Sequence, residues 1–545
     1  MPGSGSARAS GSSALFPPPR GPSQTSGRPH GANRPEPGPP SLTGAVERSS
    51  PPTDGECTCT IAHSWPFCKR FFQPPGPETF SSRPGGIAPV AAKPPPRPKP
   101  RSEKEALAPV PSVKIVALGA ASASFGLTIL RDIIGCRELD GSHLALVDVN
   151  EGGLDLMRRA GERLINTTAT STTLSATTDL ATALPDTSYV IASVAVARLP
   201  GWRMDWEVPL RHGIKHVFAE NAGVGGLFQL CRNLPPILKA ARAMEKLCPE
   251  ALLLNFSNPL PRVICALDRY TDIRAVGLCH GFENTRGLLA GWLGLPPEEL
   301  HATAAGINHF TWMLDVRRRS TNEDLYPRIR EICFSDAPPS EEPFLQALYR
   351  RFGCFPTCGD SHAAEFVPAE MFEEIYPFQD APPWRLDFDA AERYRADLSA
   401  LLNRLADGGE DGTDLLASPS SEYLRRIIMA IETDQDWVCP AINVPNRGYV
   451  SNLPPVGVIE VPALINGRGI QPLGIGEMPE GPAYFVAQQL LIQPLAAKAA
   501  AEGDRNAALQ ALTLEPCVGS LKKAEAVFDD LLSRQLQWLP QFQRP

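Results

Sequence analysis

The sequence contains no uninterrupted apolar run of about 18 residues or more, which is the length that a helix needs to cross a bilayer. Its N-terminus also lacks the apolar core of a secretory signal. We therefore predict a cytosolic protein without a membrane partner. An organellar transit peptide stays an alternative because the first 35 residues carry Arg and Ser with few acids, although the prolines there oppose an amphipathic helix.

A surplus of positive charge is absent as well. The chain has 52 Lys and Arg residues against 60 Asp and Glu residues, which gives a net charge of -8. Phosphate binding needs clustered Lys and Arg, so we predict no nucleic-acid partner. The 13 cysteines of the 545-residue chain are an odd number without ordered spacing, unlike the dense framework of a small secreted domain. We expect reduced thiols.

Residues 1–110 differ in composition from the rest of the chain. They are rich in Pro, Gly and Ser and hold few apolar side chains, so burial cannot offset the entropy of ordering them. We predict a disordered tail. A zinc site in this tail is the alternative, but the spacing of its candidate ligands matches no common pattern; they are Cys57, Cys59, His63 and Cys68.

Regular structure is predicted to begin with SVKIVALGAASASFG (112–126), a β-branched apolar run followed by a turn of small residues and a helix-spaced segment. A second apolar run, HLALVDVN (143–150), carries Asp148 near its end. This pattern predicts the first unit of a Rossmann fold, in which small residues admit a pyrophosphate and the acid binds the ribose. A plain α/β turn stays open as the alternative. The candidate cofactor-binding residues are Gly119, Ala121, Ser122, Phe125, Asp148 and Asn150.

The apolar runs that follow predict strands that alternate with helices. They lie at 187–196, 214–220, 251–259 and 274–281. We predict an α/β fold with a doubly wound, mainly parallel, Rossmann-like domain at 111–300. An α+β substrate- and metal-binding domain is expected at 301–535, in the arrangement of lactate and malate dehydrogenases. Within it, an expanded surface loop is expected over about 380–418.

Polar residues follow two of these strands. Asn258 in NFSNP and Cys279 in GLCHG come after apolar runs, and His309 follows a glycine-containing turn about 30 residues later. In parallel sheets ligands bind beyond the carboxyl ends of the strands. A thiolate and an imidazole there suit a divalent cation whose remaining positions are open to substrate oxygens. A buried structural thiol and a nucleophile are the alternatives for Cys279.

Several motifs, taken in order, resemble those of glycoside hydrolase family 4, the glycosidases that depend on NAD and a divalent metal. The resemblance runs from about Val113 to Leu532. Its motifs are GAASASF, LVDVN, NFSNPL, GLCHG, GINHF, GDSHAAEF, NVPNRGYVSNLP, VIEVPA and GDRNAALQAL. The pair Cys279-His280 is similar to the branch that acts on α-galactosides, α-glucosides and α-uronides.

The resemblance implies hydrolysis of O-glycosyl bonds without the usual pair of carboxylates. Family members oxidise the sugar C3 hydroxyl by hydride transfer to NAD. A base then removes the acidified C2 proton, while Mn²⁺ or another divalent metal stabilises the enediolate. The aglycone leaves, water adds at C1 and the hydride returns. The resemblance also implies a glycoside substrate and a homo-oligomer, either a dimer or a tetramer.

The resemblance also assigns roles by position. Cys279 and His309 match the metal ligands, and Asn258 matches a substrate-contacting asparagine. His280 is the candidate acid near the leaving group, with a packing histidine as the alternative. Asp360 is the candidate base at C2, with a purely structural carboxylate as the alternative.

Other positions bear on the substrate and on rival functions. Arg198, Arg232 and Arg286 are candidates to bind a uronate carboxylate, or else to pair with acids in the fold. Cys354 and Phe355 stand where many relatives have tyrosine, so we do not expect a phenol base. The rival functions are an NAD-dependent dehydrogenase of the lactate and malate kind, and a catalytically degenerate relative that acts as a binding protein.

Overall fold

The computed structural model of the chain describes residues 112–377, 386–417, 420 and 423–543. The predicted tail, the transit peptide and the zinc-site alternative all lie outside the described residues. Among the described helices, none is both long enough and apolar enough to cross a membrane.

The first half of the described chain forms a parallel sheet with the strand order β3-β2-β1-β4-β5-β6. Its strands are β1 (Lys114–Leu118), β2 (His143–Val147), β3 (Thr173–Thr177), β4 (Tyr189–Ala192), β5 (Leu252–Asn255) and β6 (Arg274–Gly277). The helices between and after them are α1 (Ala123–Ile134), α2 (Glu151–Thr168), α3 (Leu180–Ala183), α4 (Arg198–Arg211), α5 (Gly223–Leu247), α6 (Leu260–Tyr270) and α7 (Gly281–Leu293). This is the strand order of a Rossmann fold.

The second half continues the same sheet with antiparallel strands, in the order β10-β11-β7-β8-β9 beyond β6, and β12 pairs with β11. These strands are β7 (Leu300–Ile307), β8 (Phe310–Arg318), β9 (Phe355–Pro356), β10 (Trp437–Pro445), β11 (Val458–Asn466) and β12 (Gly469–Pro472). The helices are α8 (Tyr326–Cys333), α9 (Pro343–Phe352), α10 (Asp360–Ala363), α11 (Ala369–Glu373), α12 (Phe388–Asp407), α13 (Thr413–Ala417), α14 (Leu424–Glu432), α15 (Glu480–Glu502), α16 (Arg505–Leu514) and α17 (Leu521–Gln535). Short 3-10 helices lie at Arg137–Leu139, Pro297–Glu299, Ala364–Phe366, Leu536–Trp538 and Pro540–Phe542.

Both faces of the parallel sheet are buried, which explains its nearly continuous apolar strands. Side chains alternate across β1, so Ile115 and Ala117 join a core with α1 and α2. Val116 points to the other face and joins a core with α5 and α6. The predicted fold class, a Rossmann-like sheet followed by an α+β part, is confirmed.

Two local predictions are wrong. Residues 214–220 form no strand, because the carbonyls of Val217 and Phe218 accept hydrogen bonds from the indoles of Trp206 and Trp202, at 2.8 Å each, instead of from a neighbouring strand. The segment expected to be a surface loop contains the 20-residue helix α12, which Asp387 caps by accepting a hydrogen bond from the backbone of Ala390. The glycines after α12 obscured its helical spacing.

Candidate active site

A cysteine and a histidine from different parts of the sheet meet beyond the strand ends. Cys279 lies between the end of β6 and the first turn of α7, and His309 lies in the tight turn between β7 and β8. The Sγ atom of Cys279 is 3.2 Å from Nε2 of His309. His309 has a φ of 68°, a left-handed conformation uncommon for a residue with a Cβ. The structure therefore brings the two predicted metal ligands, Cys279 and His309, into contact.

A buried carboxylate holds the turn that carries His309. Glu460 on β11 accepts hydrogen bonds from Asn308 Nδ2 at 3.0 Å and from Thr311 Oγ1 at 2.7 Å, on either side of His309. It also accepts one from Asn443 Nδ2 on β10 at 2.8 Å. Because β10 pairs with β6 next to Cys279, this network fixes both members of the pair relative to each other.

The electrostatics favour a neutral imidazole at this position. Burial, together with the charges of His362 and His280, holds the pKa of His309 well below its usual value. Its Nδ1 atom is buried and has no hydrogen-bond partner within the described part of the chain. Neutral imidazole is the form that binds metals, so His309 is ready to act as a ligand across the physiological pH range.

A second imidazole lies against the first. The ring centroids of His309 and His362 are 4.2 Å apart, and Nδ1 of His362 is 3.5 Å from Oε2 of Glu365. Glu365 is buried and accepts hydrogen bonds from the backbone amides of Glu220 at 2.7 Å and Asn221 at 3.0 Å. The carboxylate therefore anchors the loop before α5 and orients His362.

Two predicted substrate-binding residues converge on Glu220. The Arg198 guanidinium donates to Oε1 of Glu220 at 2.6 Å, and the side chain of Asn258 also hydrogen-bonds Glu220. Burial opposes ionisation of Glu220, but the charges of Arg198 and His362 outweigh it and lower the pKa of this carboxyl. Arg198 and Asn258 are thereby linked to His362 through Glu220, whose backbone amide donates to Glu365.

The predicted cofactor loop packs tightly against the end of β4. Gly119 has a φ of 84°, and a Cβ built on it would lie 2.1 Å from the carbonyl oxygen of Ser193. Asp148 accepts hydrogen bonds from the backbone amides of Ala121 and Asn150, at 3.0 Å each, and so joins the loop to the end of β2. Only glycine fits position 119.

The remaining predicted cofactor-binding residues cap helices or contact the segment that follows β5. Ser122 caps α1, and Asn150 caps α2 by accepting a hydrogen bond from the backbone of Gly153 at 3.1 Å. The rings of Phe125 and Phe256 are 4.8 Å apart between centroids. Phe125 lies in the first turn of α1, and Phe256 directly follows β5. The start of α1 therefore contacts the segment that carries Asn258.

Asp360 lies at the start of α10 but turns away from these groups. Its carboxylate accepts hydrogen bonds from the backbone amides of Phe344 at 2.9 Å and Leu345 at 2.7 Å, in the first turn of α9, and from the Tyr376 hydroxyl at 2.7 Å. Burial raises the pKa of Asp360, and it raises the pKa of its neighbour Glu342 to about 8. These contacts favour the structural alternative for Asp360, and its role as the base stays a prediction.

The other two candidate arginines pair with acids. Arg232 is buried and donates to both carboxylate oxygens of Asp205, with Nη1 3.0 Å from Oδ1. Arg286 donates through Nε to Glu283 at 2.7 Å, and the Tyr423 hydroxyl donates to the same carboxylate at 2.6 Å. Arg232 thus has a structural role, and the pairing of Arg286 leaves its predicted substrate contact without support.

Two family models match this chain. The family 4 glycosyl hydrolase model matches residues 114–295, and the model of the family 4 glycosyl hydrolase C-terminal domain matches residues 304–518. The chain belongs to family 4 of the glycosyl hydrolases. The resemblance found in its motifs is therefore confirmed, and the family 4 chain is a glycoside hydrolase.

Relatives of the family 4 chain match it along nearly their whole length. An alpha-galactosidase of Bacillus subtilis is 30% identical over 434 residues, covering 79% of this chain and 99% of the relative. An alpha-glucosidase of Erwinia rhapontici is 28% identical over 468 residues, covering 78% and 99%. A crystal structure of a 6-phospho-alpha-glucosidase from gut microorganisms, in complex with NAD and Mn²⁺, has a TM-score of 0.69 at 22% identity and covers 79% of this chain and all of that one. At that identity the likeness shows a shared fold.

Sequence reasoning missed two residues of the candidate site. Glu220 is the last residue of the stretch 214–220, which was predicted to be a strand, so nothing marked its carboxylate as the partner of Arg198 and Asn258. Cys358 lies beside His309 and His362, and the ligand atoms of these three residues lie within 4.8 Å of one another. A cysteine four residues before a histidine was the available signal for Cys358.

We expect Asp360→Asn to lower the free energy of unfolding by about 1–3 kcal/mol, because an amide cannot accept all three hydrogen bonds that the carboxylate accepts. Bound metal should stay unchanged, and kcat/KM should fall by less than about tenfold. Denaturant unfolding and steady-state kinetics measure both effects. A loss in kcat of about 10²–10⁴-fold at unchanged stability would instead establish Asp360 as the base.

Proposed function

We propose that the family 4 chain is a glycosidase that hydrolyses O-glycosyl bonds of α-galactosides, α-glucosides or α-uronides, and that it depends on NAD and a divalent metal. The observation that carries this proposal is the Cys279–His309 pair, which lies beyond the same sheet edge as the Gly119 loop. The names of the alpha-galactosidase and alpha-glucosidase relatives support the substrate class.

The residues fit a divalent metal. Cys279 and His309 would hold it, since a thiol and a neutral buried imidazole lie 3.2 Å apart and the other imidazole nitrogen lacks a partner among the described residues. When bound, such a cation acts as a Lewis acid that stabilises negative charge on neighbouring sugar oxygens. Two protein ligands leave coordination positions for the substrate.

The residues also fit NAD. Gly119 adopts a left-handed conformation that packs its loop against Ser193 at the end of β4, and α1 begins directly behind the loop, so backbone amides at the start of α1 can receive a pyrophosphate. Asp148 stands at the end of β2, where a ribose binds in Rossmann folds. When bound, NAD would supply a reversible hydride acceptor beside the sugar.

The side chains around the pair would bind the sugar and move protons. Arg198 and Asn258, both held by Glu220, are placed to donate hydrogen bonds to sugar oxygens or to a uronate carboxylate. His280 is the candidate acid at the leaving group. His362, which Glu365 orients, is the candidate base at C2 in place of Asp360, because its imidazole contacts His309.

Hydrolysis of aryl α-galactoside, α-glucoside and α-galacturonide by the reduced protein tests this function, with NAD and Mn²⁺ each added or withheld. We expect cleavage of at least one glycoside only when both are present, without accumulation of NADH. His309→Ala should abolish it, and the matched control His301→Ala, at an exposed histidine of β7, should not.

Two results would overturn the proposal. Accumulation of NADH without bond cleavage would favour a dehydrogenase, and inactivity on every glycoside would favour a degenerate binding protein. A dimer or tetramer, which the family resemblance implies, stays a prediction that light scattering on the purified protein tests.

A further inference from the structure

Cys358 lies in the loop between β9 and α10, beside the candidate metal ligands. Cys358, His309 and His362 each offer one ligand atom, and these three atoms lie within 4.8 Å of one another. That spacing is close enough for one ion to bind all three. His309 belongs both to this group and to the pair with Cys279. The two cysteines therefore approach the same imidazole from different segments of the chain.

Gly281 gives independent support for this convergence. A Cβ built on Gly281 would lie 2.6 Å from Sγ of Cys358 and 3.6 Å from Sγ of Cys279. The backbone amide of Gly281 also donates to Sγ of Cys279 at 3.4 Å. The first residue of α7 thus contacts both sulfurs, and a side chain there would displace Cys358 from this position.

We propose that Cys358 is a third protein ligand of the metal, so that the centre presents two thiolates, from Cys279 and Cys358, and one imidazole, from His309. This inference rests on the proposed function and deepens it. Two thiolates and one imidazole are a ligand set of catalytic zinc sites, in which one position stays open. His362 belongs to the same group of ligand atoms, but Glu365 and Asn221 engage its Nδ1, and its imidazole is the candidate base beside the centre.

The ligand set determines which metal binds best. Soft thiolates select Zn²⁺ and Co²⁺ over Mn²⁺ and Mg²⁺, which prefer oxygen ligands. A single thiolate gives a weaker preference than two. The chain should therefore bind Zn²⁺ more tightly than Mn²⁺, by a margin to which Cys358 contributes.

The test uses the NAD-loaded protein with Co²⁺, whose thiolate charge-transfer absorption in the near ultraviolet reports bound sulfur. We expect Cys358→Ala to keep about half of the wild-type absorbance per bound Co²⁺, because one of two sulfurs is lost. The matched control Cys354→Ala, at a buried cysteine between α9 and β9, should keep all of it. Wild-type absorbance per bound Co²⁺ in Cys358→Ala would overturn the proposal.

Competition with a chelator measures selectivity in the same variants. The ratio of Zn²⁺ affinity to Mn²⁺ affinity should fall by at least about tenfold in Cys358→Ala and stay constant in Cys354→Ala. X-ray absorption of the Zn²⁺-loaded wild-type protein needs no variant and should show two sulfurs at about 2.3 Å. One sulfur would contradict the proposal.

The outcomes separate this proposal from the proposed function. If Cys279→Ala abolishes the cobalt absorption and Cys358→Ala leaves it intact, Cys358 is no ligand and the two-ligand metal site stands. If wild-type protein binds none of the metals, both proposals fail.

Discussion

Cys279→Ser should lower kcat/KM for the cleaved glycoside by on the order of 10³-fold, because the metal supplies several kcal/mol of charge stabilisation and loses a soft ligand. Metal content after dialysis should fall in parallel, while thermal stability changes little. Steady-state kinetics and elemental analysis of the same preparation measure both quantities. The loss should be in kcat more than in KM, since the stabilised charge develops after the sugar has bound.

The control for this variant is Cys248→Ser, at a buried cysteine at the C-terminal cap of α5, whose backbone amide donates to the carbonyl of Met244. It should keep wild-type metal content and kcat/KM. Full metal content and activity in Cys279→Ser would contradict the ligand role and favour the alternative, a structural thiol at Cys279.

Gly119→Ala should abolish NAD binding at concentrations up to about 100 times the wild-type Kd. The added Cβ would meet the backbone carbonyl of Ser193 at 2.1 Å, and a φ of 84° is strained for alanine, so the loop must shift and carry its backbone amides away from the positions that would bind the pyrophosphate. Titration calorimetry with NAD gives the affinity directly.

Gly291→Ala is the matched control for that substitution. Gly291 lies within α7, and a Cβ built there meets nothing within 4 Å. NAD affinity should be unchanged, and stability should rise by about 0.5–1 kcal/mol from better helix propensity. Equal NAD affinity of Gly119→Ala and wild-type protein would contradict the assigned cofactor loop.

The parallel strands could be predicted because local pattern determines them. The runs that became β1, β2, β4, β5 and β6 are apolar and bounded by turn residues, as strands buried on both faces must be. β3 was not predicted because its residues are Thr, Leu, Ser, Ala and Thr, and none of its side chains is fully buried. The stretch at 214–220 has apolar residues at its centre, but the partners of its carbonyls are indole side chains, which no local pattern reveals.

The site could be predicted where residues of metal-binding type directly follow a predicted strand. Cys279 and His309 could be paired because both residue types bind metals and both follow apolar runs. Contacts between distant segments could not be read in the same way. Arg198 pairs with Glu220, Asp360 accepts hydrogen bonds from the α9 amides, and Cys358 lies close to His309. Each of these contacts depends on how segments pack in three dimensions and not on the local sequence pattern.

Exchange of the sugar C2 proton distinguishes oxidation and elimination from direct displacement at C1. The measurement is hydrolysis of the best aryl glycoside in deuterium oxide, with NAD and metal present, followed by NMR and mass spectrometry of the released sugar. We predict product that carries deuterium at C2, formed at the rate of bond cleavage. Cleavage that leaves the C2 proton in place would contradict the proposed chemistry and require displacement by carboxylates.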